Sequence, residues 1–543
     1  MGKGSRNRAA EHKPVVAQET AKTSLGIKLA FIGVAVLALV ALVYFIITST
    51  GMLQRNTTAM TVTGKDDEME FSAAYMDILY YNVRVNVINE YYYYLYMYGY
   101  PLNSSLDATA CLFDNTITFR EYFLSQAKLQ ALEMMVLNME GRKAGFTPEN
   151  PEGWKDLVEE LYTVAEENDM GVEKYIKAAY GNALNLETMT EYYKLNYYAG
   201  EYYDHVYNKE YTEDQREDFY NKNAVDYDVF DVYVYGFTYK NYTYTEPKEG
   251  ETVKDGEPKS KEEAEQMSKA AKEQAKADAD AFLKRLGQGE KFDDIAKEYF
   301  DIKAKAEAKE GEDPAEYESS LQDKQKMTSF ASVIQTWLKS ASREVGDKDV
   351  VVDGTNRVYY VVQYVGRQVN PAQAATVRHI LLGYKELKEI PADATAEKKA
   401  ELEKENAEIE KFNKEQKEKA EKLLKDWKAG KADEDSFAAL VKDNSDDTGS
   451  VNNGGLYEKF EQGEMVDEFD KWCFDANRKA GDTDLVETEY GMHIMYYVSA
   501  DGNYYEHVLL SDMRTADYSE WYKETGKAYT SVYNNFGMSL INN

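Results

Sequence analysis

The pattern of apolar and polar positions divides the chain into segments of different character. Leu29 to Ile47 (LAFIGVAVLALVALVYFII) is uncharged and almost wholly apolar, and no charge follows it until Arg55. A run of this length roughly matches the hydrocarbon thickness of a bilayer. It exceeds the apolar core of a signal peptide, about 7–15 residues, and no clear small-x-small cleavage motif follows it. We therefore predict a transmembrane anchor at residues 29–51, with a cleaved signal peptide as the alternative.

The pattern changes twice after the apolar run. Residues 52–70 are polar and are predicted to form a tether. From 71 to 225 the periodicity is helical, and Tyr91–Tyr94 opens a series of tyrosines. Tyrosine combines an apolar ring with a polar tip, so it suits a half-wet surface that holds peptides and also ordinary packing between helices. The sequence leaves both roles open for this predicted helical domain.

Two later segments repeat each other at a constant offset of 135 residues. Trp337–Lys339 matches Trp472–Phe474, and Val345–Val350 matches Ala480–Leu485. Self-similarity of this kind predicts two copies of one domain, at 226–370 and 371–500. The tail, 501–543, is predicted to be helical and to pack on the 71–225 domain.

Charge is distributed unevenly along the chain. Residues 1–28 carry six lysines or arginines against two glutamates, whereas the net charge of the whole chain is −33. Basic residues before an apolar run predict a cytoplasmic tail at 1–28, with everything after Gly51 outside the cell membrane. The acidic remainder would repel phosphate backbones, which argues against nucleic acid as a partner.

The chain contains two cysteines, Cys111 and Cys473, in different predicted domains. Neither belongs to a thiol redox motif or to a metal-ligand cluster, so we expect no metal site. Whether the two cysteines pair depends on a proximity that the sequence does not give.

Two of the five histidines lie in distinctive phrases. His379 lies in VRHILL and His493 in EYGMHI, with NGGL and GEMVDEF between them. This order resembles the parvulin family of peptidyl-prolyl cis/trans isomerases over about residues 371–500. The resemblance implies an α+β domain, an antiparallel sheet with surrounding helices, and an isomerase that needs no cofactor. One departure is the turn Gly455-Leu456-Tyr457, which lacks the Asp and the last Gly of the family's Gly-Gly-Asp-Leu-Gly.

The resemblance assigns roles to eight residues. Those assigned to the catalytic hydrogen-bond network or its rim are polar: His379, His493, Asp447, Thr488 and Tyr490. Those assigned to the cup for the proline ring are apolar: Leu456, Met465 and Phe469. A single buried histidine is as well explained as a satisfied core group, and Met465 with Phe469 suits plain helix packing. Their joint occurrence favours the active-site interpretation.

The first copy differs from the second. The repeat places Val358 where the second copy has His493, and no histidine occurs from 226 to 370. We therefore expect the first copy to be a degenerate parvulin-like module without an active site.

The order of anchor, helical domain and parvulin-like modules resembles the extracytoplasmic foldases of the PrsA type and, more distantly, SurA. The resemblance implies a single-pass membrane protein that assists unfolded or newly exported polypeptides. The alternative is a non-catalytic holdase in which both modules are inactive. A surface-structural or adhesion protein is a third class, suggested only by size, acidity and tyrosine content. The sequence leaves the oligomeric state open.

Overall fold

The computed structural model describes residues 50–247, 253, 256–308, 313–340, 343–391 and 394–541. The predicted cytoplasmic tail and residues 29–49 of the predicted anchor lie outside the described residues. In the part of the chain that is described, no helix is long and apolar enough to cross a membrane. The chain is a multidomain α+β protein with antiparallel sheets, as predicted. It divides into two units, one formed by the chain up to Lys209 and from Thr515 onward, the other by Glu210–Arg514.

The first unit is mainly helical. Up to Lys209 its helices and strands are, in chain order, α1 (Met52–Arg55), β1 (Thr58–Thr63), β2 (Glu68–Ser72), α2 (Ala73–Glu90), α3 (Tyr92–Met97), α4 (Phe119–Ala144), α5 (Trp154–Glu167), α6 (Val172–Tyr180) and α7 (Leu186–Tyr207). Helix α4 begins at a capping box, because the Thr118 hydroxyl accepts from the Glu121 N–H while the Glu121 carboxylate accepts from the Thr118 N–H. Two donors that the helix would leave without partners are thereby satisfied.

The second unit alternates strands and helices. Its elements are α8 (Glu213–Tyr227), β3 (Asp228–Thr238), α9 (Lys261–Gly287), α10 (Phe292–Glu307), β4 (Leu321–Lys326), α11 (Ser332–Leu338), β5 (Lys348–Asp353), β6 (Val358–Val369), β7 (Gln373–Gly383), α12 (Ala396–Lys428), α13 (Glu434–Asn444), β8 (Leu456–Glu461), α14 (Asp467–Cys473), β9 (Thr483–Thr488) and β10 (Gly491–Asn503). The chain ends with α15 (Tyr504–Gly526), β11 (Thr530–Tyr533) and α16 (Asn535–Ser539).

Residues 52–70 are folded, so the prediction of a polar tether is wrong. They form α1, β1 and the start of β2, and β1 is the middle strand of a sheet with the order β11-β1-β2. The side chains of Met60 and Val62 are fully buried. The segment reads as polar because three of the six residues of β1 are threonines. Threonine is β-branched and is favoured in strands, so a threonine-rich segment can still be part of a core.

The C-terminal residues complete the first unit. The Tyr518 hydroxyl donates to the Glu133 carboxylate, and the Tyr529 hydroxyl donates to Glu140, both over 2.6 Å. Strand β11, which lies between α15 and α16 in the chain, pairs with β1. The tail that was predicted to be helical therefore also contains a strand.

Tyrosines of the first unit occupy two kinds of environment. Tyr80, Tyr192 and Tyr202 are buried in the helical core. In and beside α3 the rings face solvent with 55–70 % of their surface exposed, at Tyr92, Tyr93, Tyr94, Tyr96 and Tyr98. The buried tyrosines thus suit packing between helices, and the exposed ones suit a surface that holds peptides.

The second unit contains two four-stranded antiparallel sheets with the same strand order. They run β4-β3-β6-β5 in the first module (residues 226–370) and β8-β7-β10-β9 in the second module (residues 371–500). The two modules also share an arginine–tryptophan contact. The Arg343 guanidinium lies 3.8 Å from the centre of the Trp337 ring, and Arg478 lies 3.9 Å from Trp472. Each sheet is covered by apolar clusters on both faces.

Strand pairing corrects one detail of the repeat. Val351 lies opposite Tyr360 in the first module, and Val486 lies opposite His493 in the second. Since Val351 and Val486 are equivalent, Tyr360 occupies the position of His493, and the prediction of Val358 is wrong. The reason is that the loop between β5 and β6 is two residues longer than the loop between β9 and β10.

Candidate functional site

The two histidines meet inside the second module. His379 lies in β7 and His493 in the neighbouring strand β10, with their Nδ1 atoms 3.0 Å apart. They are 2 % and 6 % exposed. The Phe469 ring, on α14, stands edge-on to both imidazoles, with ring centres 5.5 and 5.3 Å away. The pair is therefore held in apolar surroundings.

Hydrogen bonds extend the pair into a line of four side chains. The Asp447 carboxylate lies 2.9 Å from His379 Nε2, and the Thr488 hydroxyl lies 2.9 Å from His493 Nε2. The Thr488 oxygen also accepts from the Tyr490 N–H at 3.2 Å. Each ring nitrogen of both histidines therefore has a hydrogen-bond partner.

The Asp447 carboxylate is held by several donors. Besides His379 it accepts from the hydroxyls of Ser450 and Tyr457 and from the Gly449 N–H. The hydrogen bond from His379, followed by those from Ser450, Gly449 and Tyr457, holds the pKa of Asp447 well below its usual range. Burial and the bond to Asp447 raise the pKa of Tyr457 to about 12. At neutral pH an ionised carboxylate thus accepts from a protonated phenol.

The ionised carboxylate of Asp447 fixes one donor in this line. An ionised carboxylate only accepts, so His379 donates to it from Nε2. The contact between the two Nδ1 atoms and the contact of His493 Nε2 with the Thr488 hydroxyl complete the line. Burial, with the neighbouring His379 as the second cause, lowers the pKa of His493 to about 3. His493 is therefore a neutral imidazole throughout the physiological pH range.

A cleft of about 340 Å³ opens over the histidine pair. Most of its lining side chains are apolar or aromatic: Leu381, Tyr457, Met465, Val466, Phe469 and Tyr490. The polar lining residues are His379, His493, Asp447 and Glu464, and the lining includes neither lysine nor arginine. Such a cleft can hold a small apolar ring beside hydrogen-bonding groups.

Six of the eight residues predicted for the site line this cleft. Thr488 lies behind His493 and contributes through its hydrogen bond. Leu456 is outside the lining, whereas its neighbour Tyr457 is part of it. Successive side chains of a strand point to opposite faces, so these two residues of β8 cannot both face the cleft.

Five residues of the site are not among those that the sequence predicts. They are Leu381, Ser450, Tyr457, Glu464 and Val466. For Leu381 a signal exists, because it follows His379 by two positions on β7 and so points to the same face. Ser450 follows Asp447 by three residues in a loop, and no periodicity marks such a position.

The turn before β8 forms in spite of its departure from the parvulin pattern. Gly455 has φ +73°, and a Cβ there would lie 2.2 Å from the His379 carbonyl oxygen. The Asn453 side chain accepts from the Leu456 N–H and donates to the Leu456 carbonyl, each over 3.0 Å. The Arg378 guanidinium donates to the carbonyls of Asn453 and Gly454. The Asn453 amide and Arg378 therefore hold this turn.

Among the described residues, no cluster of three or more histidine, cysteine, aspartate or glutamate side chains is arranged to hold a metal ion. The two cysteines are free, and both are buried. Burial raises the pKa of the Cys473 thiol above its usual range, so Cys473 is a protonated core residue.

The residues of this site lie within a segment that matches a known protein family. Residues 359–499 match the model of the PPIC-type PPIase domain. The foldase protein PrsA of Geobacillus kaustophilus (strain HTA426) is 40% identical over 78 residues, which are 14% of this chain and 27% of that protein. The PrsA of Exiguobacterium sibiricum is 37% identical over 59 residues, 11% of this chain and 19% of that one. The chain thus spans about a quarter or less of the length of these curated relatives.

A crystal structure of PrsA from Bacillus subtilis is 22% identical and covers 28% of this chain and 49% of its own, with a TM-score of 0.18. A TM-score this low supports no conclusion. The family match and the curated relatives identify the second module as a parvulin-type peptidyl-prolyl isomerase domain. The chain that carries this domain is similar to the PrsA foldases.

Proposed function

We propose that the protein is a membrane-anchored foldase on the outer face of the cell membrane. Its second module catalyses cis/trans isomerisation of Xaa-Pro bonds in unfolded or newly exported polypeptides. One observation carries the proposal: a buried pair of hydrogen-bonded histidines lies at the back of a largely apolar cleft.

The chemistry of isomerisation explains why such a site suffices. Rotation about a peptide bond meets a barrier of about 18–20 kcal/mol because the amide has partial double-bond character. Lowering it requires no nucleophile and no metal, only stronger binding of the twisted amide than of either planar form. Each tenfold acceleration needs about 1.4 kcal/mol of such preference. A largely apolar cleft with fixed hydrogen-bonding groups can supply it.

The roles of the residues follow from their positions. Met465, Phe469 and Leu381 hold the proline ring, and Tyr490 lines the cleft beside them. The histidine pair contacts the twisting amide. Asp447 and Thr488 hold the two imidazoles in place by hydrogen bonds to their Nε2 atoms. Leu456 acts through the turn before β8 rather than by contact with proline.

The location is proposed from the sequence. The apolar run Leu29–Ile47 follows a basic segment, and the similar PrsA proteins are named foldases. We expect the protein to resist alkaline extraction from membranes, and a protease added outside spheroplasts to digest the residues after Gly51. Release by alkali, or protection of these residues from protease, would contradict the anchor or its orientation.

A second candidate is a holdase that binds clients without catalysis. The observation that favours it is the group of five exposed tyrosines in and beside α3, an unusual density of aromatic surface. A holdase would suppress aggregation of an unfolded client even when the cleft over the histidine pair is disabled. Suppression that persists in the His493→Ala variant would assign holding to the first unit, and suppression that is lost would assign it to the cleft.

The isomerase proposal is tested with an unphosphorylated Xaa-Pro peptide series, because the cleft lining has no lysine or arginine for a phosphate. We expect the full chain to accelerate isomerisation and the His493→Ala and Met465→Ala variants to lose most of that acceleration. Circular dichroism of each variant controls for folding. A folded wild-type chain that gives no acceleration would move the assignment to the holdase.

A further inference from the structure

A second, larger cavity lies inside the second unit, between the two modules. It has a volume of about 830 Å³ and is lined by the end of β4, the end of β8, the connecting residues Asn370–Ala372, and Tyr504. Lys326 is the last residue of β4, and Glu461 is the last residue of β8. The two residues are equivalent positions of the duplicated fold, 135 residues apart, and they form an ion pair with each other across the cavity.

The Glu461 carboxylate is buried and depends on partners from outside its own module. One oxygen accepts from the Lys326 ammonium of the first module. The other accepts from the Asn370 amide, in the connection between the modules, over 2.9 Å. Lys326 also lies 5.3 Å from the centre of the Tyr504 ring. A buried carboxylate that loses its cation is strongly disfavoured, so without Lys326 this carboxylate would move toward water.

The residues that follow Glu461 lead directly into the cleft of the second module. The Glu461 N–H donates to the Glu464 carboxylate over 3.1 Å, and the Glu464 N–H donates back to the Glu461 carbonyl over 3.1 Å. Gly463 turns the chain with φ +89° and donates its N–H to Asp470. Met465 comes next and lines the cleft, and Glu464 lines both cavities. These hydrogen bonds connect Glu461 to Met465, four residues later in the chain.

We infer that the degenerate first module positions the substrate-binding turn Glu461–Val466 of the second module through the Lys326–Glu461 pair. The inference rests on the proposed isomerase function for its catalytic consequence, though not for its structural part. Lys326 and Glu461 are positioning residues: neither lines the cleft over the histidine pair. The first module, which contains no histidine, then has a structural role: it holds the substrate-binding turn of the second module in place.

The structural part is tested by hydrogen exchange of the full chain. In the Lys326→Met variant the amides of Gln462–Val466 should exchange about tenfold faster, while those of β7 and β10 keep their protection. Lys324→Met is the matched control, because Lys324 is on the same strand and lines the same cavity. Unchanged exchange at Gln462–Val466 in Lys326→Met would overturn the inference.

The catalytic part is tested with the same variants and an unphosphorylated Xaa-Pro peptide. Lys326→Met should raise KM by on the order of threefold to tenfold with little change in kcat, because the proline cup is displaced and the histidine pair is not. Lys326→Arg should restore KM, and Lys324→Met should leave it unchanged. An equal loss of kcat in every variant, or an unchanged KM in Lys326→Met, would contradict positioning.

A double variant separates positioning from stability. Glu461→Gln combined with Lys326→Met leaves no unpaired buried charge, so the protein should unfold near the wild-type temperature. The inference predicts that the turn still exchanges faster, since the ion pair between the modules is gone and only the hydrogen bond from Asn370 remains. If the wild-type chain proves to have no isomerase activity, the proposed function fails, while exchange and peptide affinity still decide the positioning role. Wild-type exchange in the double variant would refute it.

Discussion

The two modules of the second unit share one fold and differ in chemistry. Their sheets have the same strand order and the same arginine–tryptophan contact. By strand pairing, Val234 stands where the second module has His379, and Tyr360 where it has His493. The packing that makes the fold is thus kept in both copies, while the site depends on a few positions that the first copy has lost.

The two modules also differ in the space beside the position of His493. In the second module Leu381 lies opposite His493, whereas in the first Gly236 lies opposite Tyr360. A Cβ on Gly236 would lie 3.3 Å from the Tyr360 ring. The tyrosine ring therefore covers the glycine on the face of the sheet where the second module has its cleft. The first module thus has packed side chains where the second has a cleft, although the strand order of the two sheets is the same.

The largest expected effect comes from giving the second module the residues of the first. The triple variant His379→Val, Leu381→Gly and His493→Tyr should fold but lose about hundredfold in kcat/KM, equal to about 2.7 kcal/mol of activation free energy. Peptide isomerisation kinetics measure the loss, and far-UV circular dichroism checks the fold. Near-wild-type activity in a folded triple variant would show that the histidines are not needed.

The turn before the edge strand gives the next effect. Ser320 occupies the first-module position of Gly455, and each accepts a backbone hydrogen bond, from Val234 and His379 respectively. Gly455→Ser should destabilise the protein by about 1–3 kcal/mol, because φ is +73° and the new Cβ would meet the His379 carbonyl. Urea unfolding measures the change. Ser320→Gly is the matched control and should cost less, since it loses the contact between the Ser320 and Tyr317 hydroxyls but introduces no backbone strain.

The pH dependence of stability should also distinguish the modules. The pKa of His493 is lowered by burial to about 3, so the folded form binds fewer protons than the unfolded form below about pH 6.5. Stability from this group is therefore full above pH 6.5 and falls, by up to about 1.4 kcal/mol per pH unit, as pH drops toward 3. Asp447, whose pKa is also lowered, adds a loss only below about pH 4.

Hydrogen exchange between pH 6.5 and 5, corrected for intrinsic rates, measures this slope separately in each module. The first module has no histidine, so its protection should change little in that window. Equal slopes in both modules, or a slope that survives in the His493→Ala variant, would contradict a neutral buried His493.

The smallest effect should be the same in both modules. Arg343→Ala and Arg478→Ala each remove a cation from a tryptophan face and a hydrogen bond to that tryptophan's carbonyl. Each should lower stability by about 0.5–2 kcal/mol. Thermal unfolding measures both changes. A large loss in one copy and none in the other would show that the two contacts are not equivalent.

The sequence predicts the centre of the cleft better than its surroundings. His379, His493, Met465 and Phe469 stand out because they lie in motifs, and the structure brings them to one cleft. Tyr457 and Ser450 are missed since their roles depend on where a loop places Asp447. That placement is a tertiary contact, and no local pattern encodes it.

Two errors of the sequence reasoning have local causes. Threonines gave β1 a polar composition, although its buried face holds Met60 and Val62. The repeat alignment kept its offset through the β5–β6 hairpin, where the first module has a longer loop, and so chose Val358 instead of Tyr360. Loop length is weakly constrained by folding energetics, so a repeat offset is least reliable across a hairpin.

The most direct test of the central claim compares equivalent positions of the two modules. Phe330 precedes α11 by the same two residues by which Met465 precedes α14. NMR exchange spectroscopy measures the cis/trans rate of an unphosphorylated Xaa-Pro peptide with the full chain, with Met465→Ala and with Phe330→Ala. We predict acceleration by the wild type, its near-complete loss in Met465→Ala, and at most a partial loss in Phe330→Ala. No acceleration by the wild type, or an equal loss in the two folded variants, would contradict the assignment of catalysis to the second module.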